Sequence, residues 1–150
     1  MSDKYIIFRA GRELFGIGIG QVVEILDSIK VNRLPEMPGY IAGVITLRGA
    51  VIPVMDMRKR FGIAPEPQKE RIIIVKNGRE RVGLIVDEVF EIKGFSEKEI
   101  FPPPAVFKGL HMEYLKGLAK TKNEVAILLD MGRVLASEEK LLLIAGEGDA

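Results

Sequence analysis

The chain contains no cysteine and a single histidine, and only 7% of its 150 residues are aromatic. Without cysteine there is no disulfide, no thiolate nucleophile and no thiolate metal site. Zinc takes three or four ligands, usually from histidine and cysteine, so a metal centre is not expected. A serine triad would have to use His111, which stands in a loop-like stretch without a nucleophile motif. An excess of one charge is also missing, since 22 basic and 21 acidic residues leave a net +1. That balance and the few aromatics disfavour a nucleic-acid-binding barrel. No apolar run approaches the ~20 residues of a membrane span. Met1-Ser2-Asp3-Lys4 lacks the apolar segment of a signal peptide. A cytoplasmic, globular protein without cofactor, metal or direct membrane insertion is expected.

What is present is apolar and finely punctuated. At 47% hydrophobic, the chain can bury a sizeable core. Tyr5–Phe8 and Leu14–Ile19 read as strands around a turn at Ala10–Glu13, the second with glycines at 16 and 18 that suit a sharply coiled strand. Val22–Leu26 is a short apolar run carrying one acid, Glu24. Val44–Leu47 and Val51–Met55 flank Arg48-Gly49-Ala50 and read as a hairpin, with Gly49 able to take a positive φ at the reversal. Met57–Phe61 fits one helical turn capped by Asp56 and stopped by Gly62. Asn77-Gly78 between Arg71–Val75 and Arg81–Val86 is a further hairpin signal. Ser96 and Glu99 fit a capping box, and Pro102-Pro103-Pro104 excludes regular structure beside it. Tyr114–Ala119 and Val125–Leu129 form the last strand pair, and Met131–Ile144 reads as a terminal helix. Strands far outnumber helices and their connections are short, which favours an all-β sandwich or small barrels.

Candidate chemistry is sparse. Gly16-Ile-Gly18-Ile-Gly20 is not a dinucleotide loop, because position 21 is Gln and no helix pattern follows. Asp56, Asp87, Glu88 and Asp130 are available for an acid–base pair, and a small hydrolytic or ligand-binding barrel would use Asp56, Asp87 or Asp130, although each sits at a strand end, where acids commonly cap turns. Arg58-Lys59-Arg60 reads as a solvated helix face. Glu24 and Arg48 fit neither turns nor caps. They either bond to each other or to loop carbonyls, or they serve protein recognition, where arginine is enriched among energetic anchors.

The segment Gly43-Val-Ile-Thr-Leu-Arg48-Gly49-Ala-Val-Ile-Pro53-Val-Met-Asp56-Met resembles the signature of the CheW family of bacterial chemotaxis coupling proteins. Phe15-Gly-Ile, Val23-Glu24-Ile25, Val82-Gly83-Leu-Ile-Val-Asp87-Glu-Val89 and Glu113-Tyr114-Leu-Lys-Gly117-Leu extend the likeness over nearly the whole chain. The family pattern often has Asn where this chain has Thr46, while Pro53 is retained and suggests an edge or bulge position.

The resemblance implies two small five-stranded SH3-like β-barrels packed around a shared core, with short helical turns and a C-terminal helix. Residues 1–150 would be one domain of two lobes, with the boundary near 62–70 and the N-terminal strand and C-terminal part in the second lobe. It implies no enzymatic activity, but an adaptor, monomeric when free, that couples the cytoplasmic tips of methyl-accepting chemoreceptors to the regulatory domain of the histidine kinase CheA. Carried over by position, the receptor-binding residues are Val22, Glu24, Gly43, Arg48 and Ile92. Kinase-binding residues are not assigned.

Overall fold

The computed structural model describes residues 3–27, 30–37, 39–64, 70–102 and 115–134. Its strands, in chain order, are β1 (Asp3–Ala10), β2 (Glu13–Gly18), β3 (Val22–Leu26), β4 (Ile41–Leu47), β5 (Ala50–Asp56), β6 (Arg71–Asn77), β7 (Glu80–Val86), β8 (Glu88–Phe95), β9 (Ile100–Phe101), β10 (Leu115–Thr121) and β11 (Glu124–Leu129). They form two sheets. The first has the order β8-β1-β2-β11-β10-β9 and the second β3-β6-β7-β5-β4. Neighbours are antiparallel except β2 with β11 and β5 with β7, which are parallel. The all-β architecture of two small sheets is the one expected, with a sixth strand, the two-residue β9, in the first sheet.

Three apolar clusters explain why the strands read as continuous hydrophobic runs. Tyr5, Ile7, Leu14, Phe95, Ala119, Ala126 and Leu128 pack together on one face of the first sheet. Ile45, Ile52, Val54, Ile72, Ile74 and Ile85 do the same in the second. Between the sheets lies a shared core that includes Phe8, Phe15, Ile17, Met55, Met57, Ile73, Val75, Leu84, Val86, Leu129 and Met131. Successive residues of a strand face opposite sides. Ile72 and Ile74 therefore fill the second sheet's own cluster while Ile73 and Val75 fill the shared one. A strand buried on both faces has no polar face to alternate.

Local signals behave largely as their chemistry dictates. Asp56 caps the helical turn α1 (Met57–Arg60), accepting from the backbone N–H groups of Arg58 and Lys59. The capping box of Ser96 and Glu99 is formed around a 3-10 turn, with Ser96 N donating to Glu99 Oε1 at 2.9 Å. Asn77, by contrast, ends β6 opposite Glu80, so the reversal is made by Gly78 and Arg79 rather than by Asn77-Gly78. Gly78 takes a φ of +65° and supplies the positive φ that this turn needs at its first position.

Pro53 lies inside β5 without breaking it. Both backbone groups of its β4 partner Val44 bond outward to Asn32, so Pro53 forfeits no bond to β4. On its other side the ladder to β7 begins only at Val54.

The boundary expected near 62–70 does not separate the sheets. β6 and β7 follow that segment yet pair with β3 and β5 in the second sheet. The chain changes sheets at Ile19–Gln21 and again at Asp87, between β7 and β8. The first sheet draws its strands from both sides of the second. The chain is helical at 131–134, where the terminal helix was expected to start. Its continuation to Ile144, together with Pro65-Glu66-Pro67, Pro103, Pro104, His111 and Tyr114, lies outside the described residues. Among the described residues no helix is long and apolar enough to cross a membrane.

Candidate functional site

Arg48 occupies the tip of the β4–β5 hairpin. Leu47 pairs with Ala50, which leaves Arg48 and Gly49 as the two turn residues, at φ +49° and +81°. Positive φ at both positions is the type I′ pattern, whose twist matches that of the flanking strands. Glycine bears it without cost, whereas a residue with a Cβ gives up about 1 kcal/mol or more. The arginine side chain is 72% exposed, yet it is oriented. Its Nη1 and Nη2 donate to Glu24 Oε1 and Oε2 at 2.5 and 3.1 Å, a bidentate fork. These hydrogen bonds and the carboxylate charge hold the Arg48 pKa above its ordinary value. Glu24 lies next to a register shift in the pairing of β3 with β6.

The other three candidate residues stand in different settings. Val22 opens β3 and is half-buried against the shared core. Gly43 is buried on β4 at φ +148°, and a Cβ there would stand 2.1 Å from the carbonyl oxygen of Asn32. Glycine is thus required by close backbone approach, since Asn32 exchanges two 2.8 Å hydrogen bonds with the neighbouring Val44. Ile92 is on β8, opposite Ile6, and 61% exposed. Four candidates therefore belong to the second sheet and one to the first. Among them, Glu24 and Arg48 are in direct contact.

The aspartates proposed for acid–base work are engaged elsewhere. Asp56 and Asp87 flank Arg58, which is buried and not on a solvated face. Arg58 donates from Nε to Asp56 Oδ1 at 3.0 Å, from Nη1 to Asp87 Oδ1 at 2.8 Å and from Nη2 to Glu70 Oε2 at 2.6 Å. The second oxygen of Asp87 accepts from the backbone N–H of Gly11. Burial opposes the Arg58 charge, but these carboxylates outweigh it and raise its pKa. Of its neighbours in the basic triplet, Lys59 is exposed, while the Arg60 guanidinium lies 5.5 Å from the Tyr40 ring centroid. Asp130 is apart from this cluster and accepts from the backbone of Arg133 at the start of the terminal helical segment. The Arg58 network was missed in the sequence. Its available signal was an arginine two residues after a capping aspartate, at the end of a buried strand.

Comparison with known proteins gives a consistent result. The CheW-like domain matches residues 4–139. A chemotaxis protein CheW of Klebsiella aerogenes is 33% identical over 145 residues, covering 95% of this chain and 87% of the relative. One of Bacillus subtilis is 35% identical over 141 residues, covering 91% and 89%. Among solved structures, the scaffolding protein TtCheW of Thermoanaerobacter tengcongensis superposes with a TM-score of 0.78 at 38% identity, over 87% of this chain and 90% of that one. The hydrolytic reading finds no support in these relatives or in the placement of the aspartates. The chain belongs to the CheW family, and it is a chemotaxis scaffold by sequence and by fold.

Proposed function

We propose that this scaffold works as a non-enzymatic cytoplasmic adaptor, monomeric when free, that joins the tips of methyl-accepting chemoreceptors to the regulatory domain of the histidine kinase CheA. Val22, Glu24, Gly43, Arg48 and Ile92 form its receptor-facing surface. The observation that carries this reading is Arg48, a well-exposed guanidinium held in a left-handed turn and aimed by a bidentate carboxylate. A fold does not need arginine at a solvent-exposed turn tip, and an oriented guanidinium suits a carboxylate or carbonyl on a partner helix. Ile92 supplies exposed apolar area and Val22 an apolar edge, the composition of a helix-in-groove contact. Gly43 serves by shaping the backbone beside them. The adaptor acts by differential binding. A receptor state that alters its contact with this surface shifts the kinase between active and inactive populations. The size of that shift is bounded by the difference in binding free energy, typically ~1–3 kcal/mol.

Titration calorimetry against a receptor-tip fragment, and separately against the kinase regulatory domain, tests the proposal. Binding to both is expected, with Arg48→Ala weakening the receptor alone. Loss of both partners by a folded Arg48→Ala protein would overturn the site, and binding of neither partner by the parent would overturn the function.

A further inference from the structure

The proposed receptor surface is split, with Ile92 on the first sheet and the other four residues on the second. Its geometry therefore depends on how the two sheets are held together. Much of their contact is apolar and non-directional, through the shared core. Asp87 adds directional bonds to it. This residue lies where the chain leaves β7 for β8, and it is 4% exposed. Its backbone N–H donates to Arg9 O on β1 at 2.9 Å, and its Oδ2 accepts from Gly11 N in the β1–β2 turn. Its Oδ1 accepts from Arg58, which follows β5 of the second sheet and is itself fixed by Asp56 and Glu70. A second contact seats the same turn. A Cβ on Gly11 would stand 2.2 Å from the Ile63 side chain, and Ile63 N donates to Arg58 O at 2.7 Å.

We infer that Asp87 and Arg58 are positioning residues, which fix the two sheets relative to each other and thereby set the spacing between Ile92 and the Glu24–Arg48 pair. The inference rests on the receptor surface proposed above. Neither residue needs to touch the receptor. A buried pair linking three segments gives a directional restraint that apolar packing alone does not give.

The absence of cysteine makes the restraint measurable. Spin labels at Thr46→Cys on β4 and Glu91→Cys on β8, both exposed positions, report the separation of the sheets. Asp87→Asn is expected to shift or broaden that distance and to weaken receptor-tip binding roughly tenfold, within the usual range for coupled sites. Arg58→Lys, whose point charge cannot hold three carboxylates in one planar fork, should do the same. Ile72→Val, a destabilising change inside the second sheet's own cluster, should move neither readout. An unchanged distance, a shifted distance with unchanged affinity, or failure of both variants to fold would each overturn the inference. If the parent protein binds no receptor fragment, the proposed function fails, while the distance measurement still decides whether these residues hold the sheets.

Discussion

Glu24 and Arg48 come from opposite margins of one sheet and meet. β3 and β4 are the two outermost strands of the order β3-β6-β7-β5-β4, yet the guanidinium at the end of β4 is forked onto a carboxylate of β3. The sheet curls until its margins touch, and the backbone bridge of Asn32 to Val44 lines the same closure. Because Arg48 is well exposed, solvent screens the pair and it adds little to stability. Glu24→Gln should therefore leave the denaturant midpoint nearly unchanged. It should weaken receptor-tip binding, as seen by calorimetry, because Arg48 loses its orientation.

Arg48→Asn separates stability from recognition. Asn-Gly is the favoured pair for a type I′ turn, and asparagine tolerates a φ near +49° better than arginine does. Urea unfolding should show a gain of about 0.5–1 kcal/mol, while receptor binding falls. A loss of stability would mean that the arginine is needed by the turn itself.

Ile92→Asp tests the first sheet's share of the surface. Its side chain is largely in solvent, so the change should alter stability by less than ~0.5 kcal/mol. Receptor affinity should drop while affinity for the kinase regulatory domain holds. Val22→Asp should show the same preference for receptor over kinase, with an added stability loss because Val22 packs on the shared core. Equal weakening of both partners by Ile92→Asp would remove β8 from the receptor surface.

Gly43→Ala should act through the backbone. The new methyl would collide with Asn32 O, and φ +148° is unfavourable for alanine. A loss of about 2 kcal/mol or more is expected in equilibrium unfolding. Retention of full stability would mean that the 30–37 segment yields easily to β4.

Arg58→Met should cost about 3–5 kcal/mol, since it leaves Asp56 and Asp87 buried without their cation. Denaturant titration of the purified variant measures this directly. The value tells whether the network supports the fold as strongly as its burial implies.

The strands were legible where sequence-local chemistry decides them. The Arg48-Gly49 reversal, the Asp56 cap and the Ser96–Glu99 box are set within four residues, and all three formed as expected. Arg58 was misjudged because its burial depends on Glu70, just before β6, and on Asp87, between β7 and β8, both later in the chain. A window around Arg58-Lys59-Arg60 shows three cations and the capping Asp56, but neither Glu70 nor Asp87. The segment at 62–70 looked like a boundary for a similar reason. Proline and glycine mark a loop, but only strand pairing says which sheet the loop serves. The mutual placement of Glu24 and Arg48 was left open by the sequence, because their contact depends on how far the second sheet curls.

The interruption of one sheet by the other bears on the order in which a growing chain can fold. Val22 to Val86 emerges as one unbroken stretch and carries every strand of the second sheet. Its hairpins close over short distances, so it can begin to form early in synthesis. β2 has no such option on its inner side, because its parallel partner is β11, with Leu14 opposite Ala126. Closing so long a loop carries the larger entropic cost and must wait for late-made residues. Until then the inter-sheet faces of β1 and β2, with Phe8, Phe15 and Ile17, lack their cover from Leu129 and Met131. The nascent first sheet is the half of this scaffold that most needs shielding from premature association.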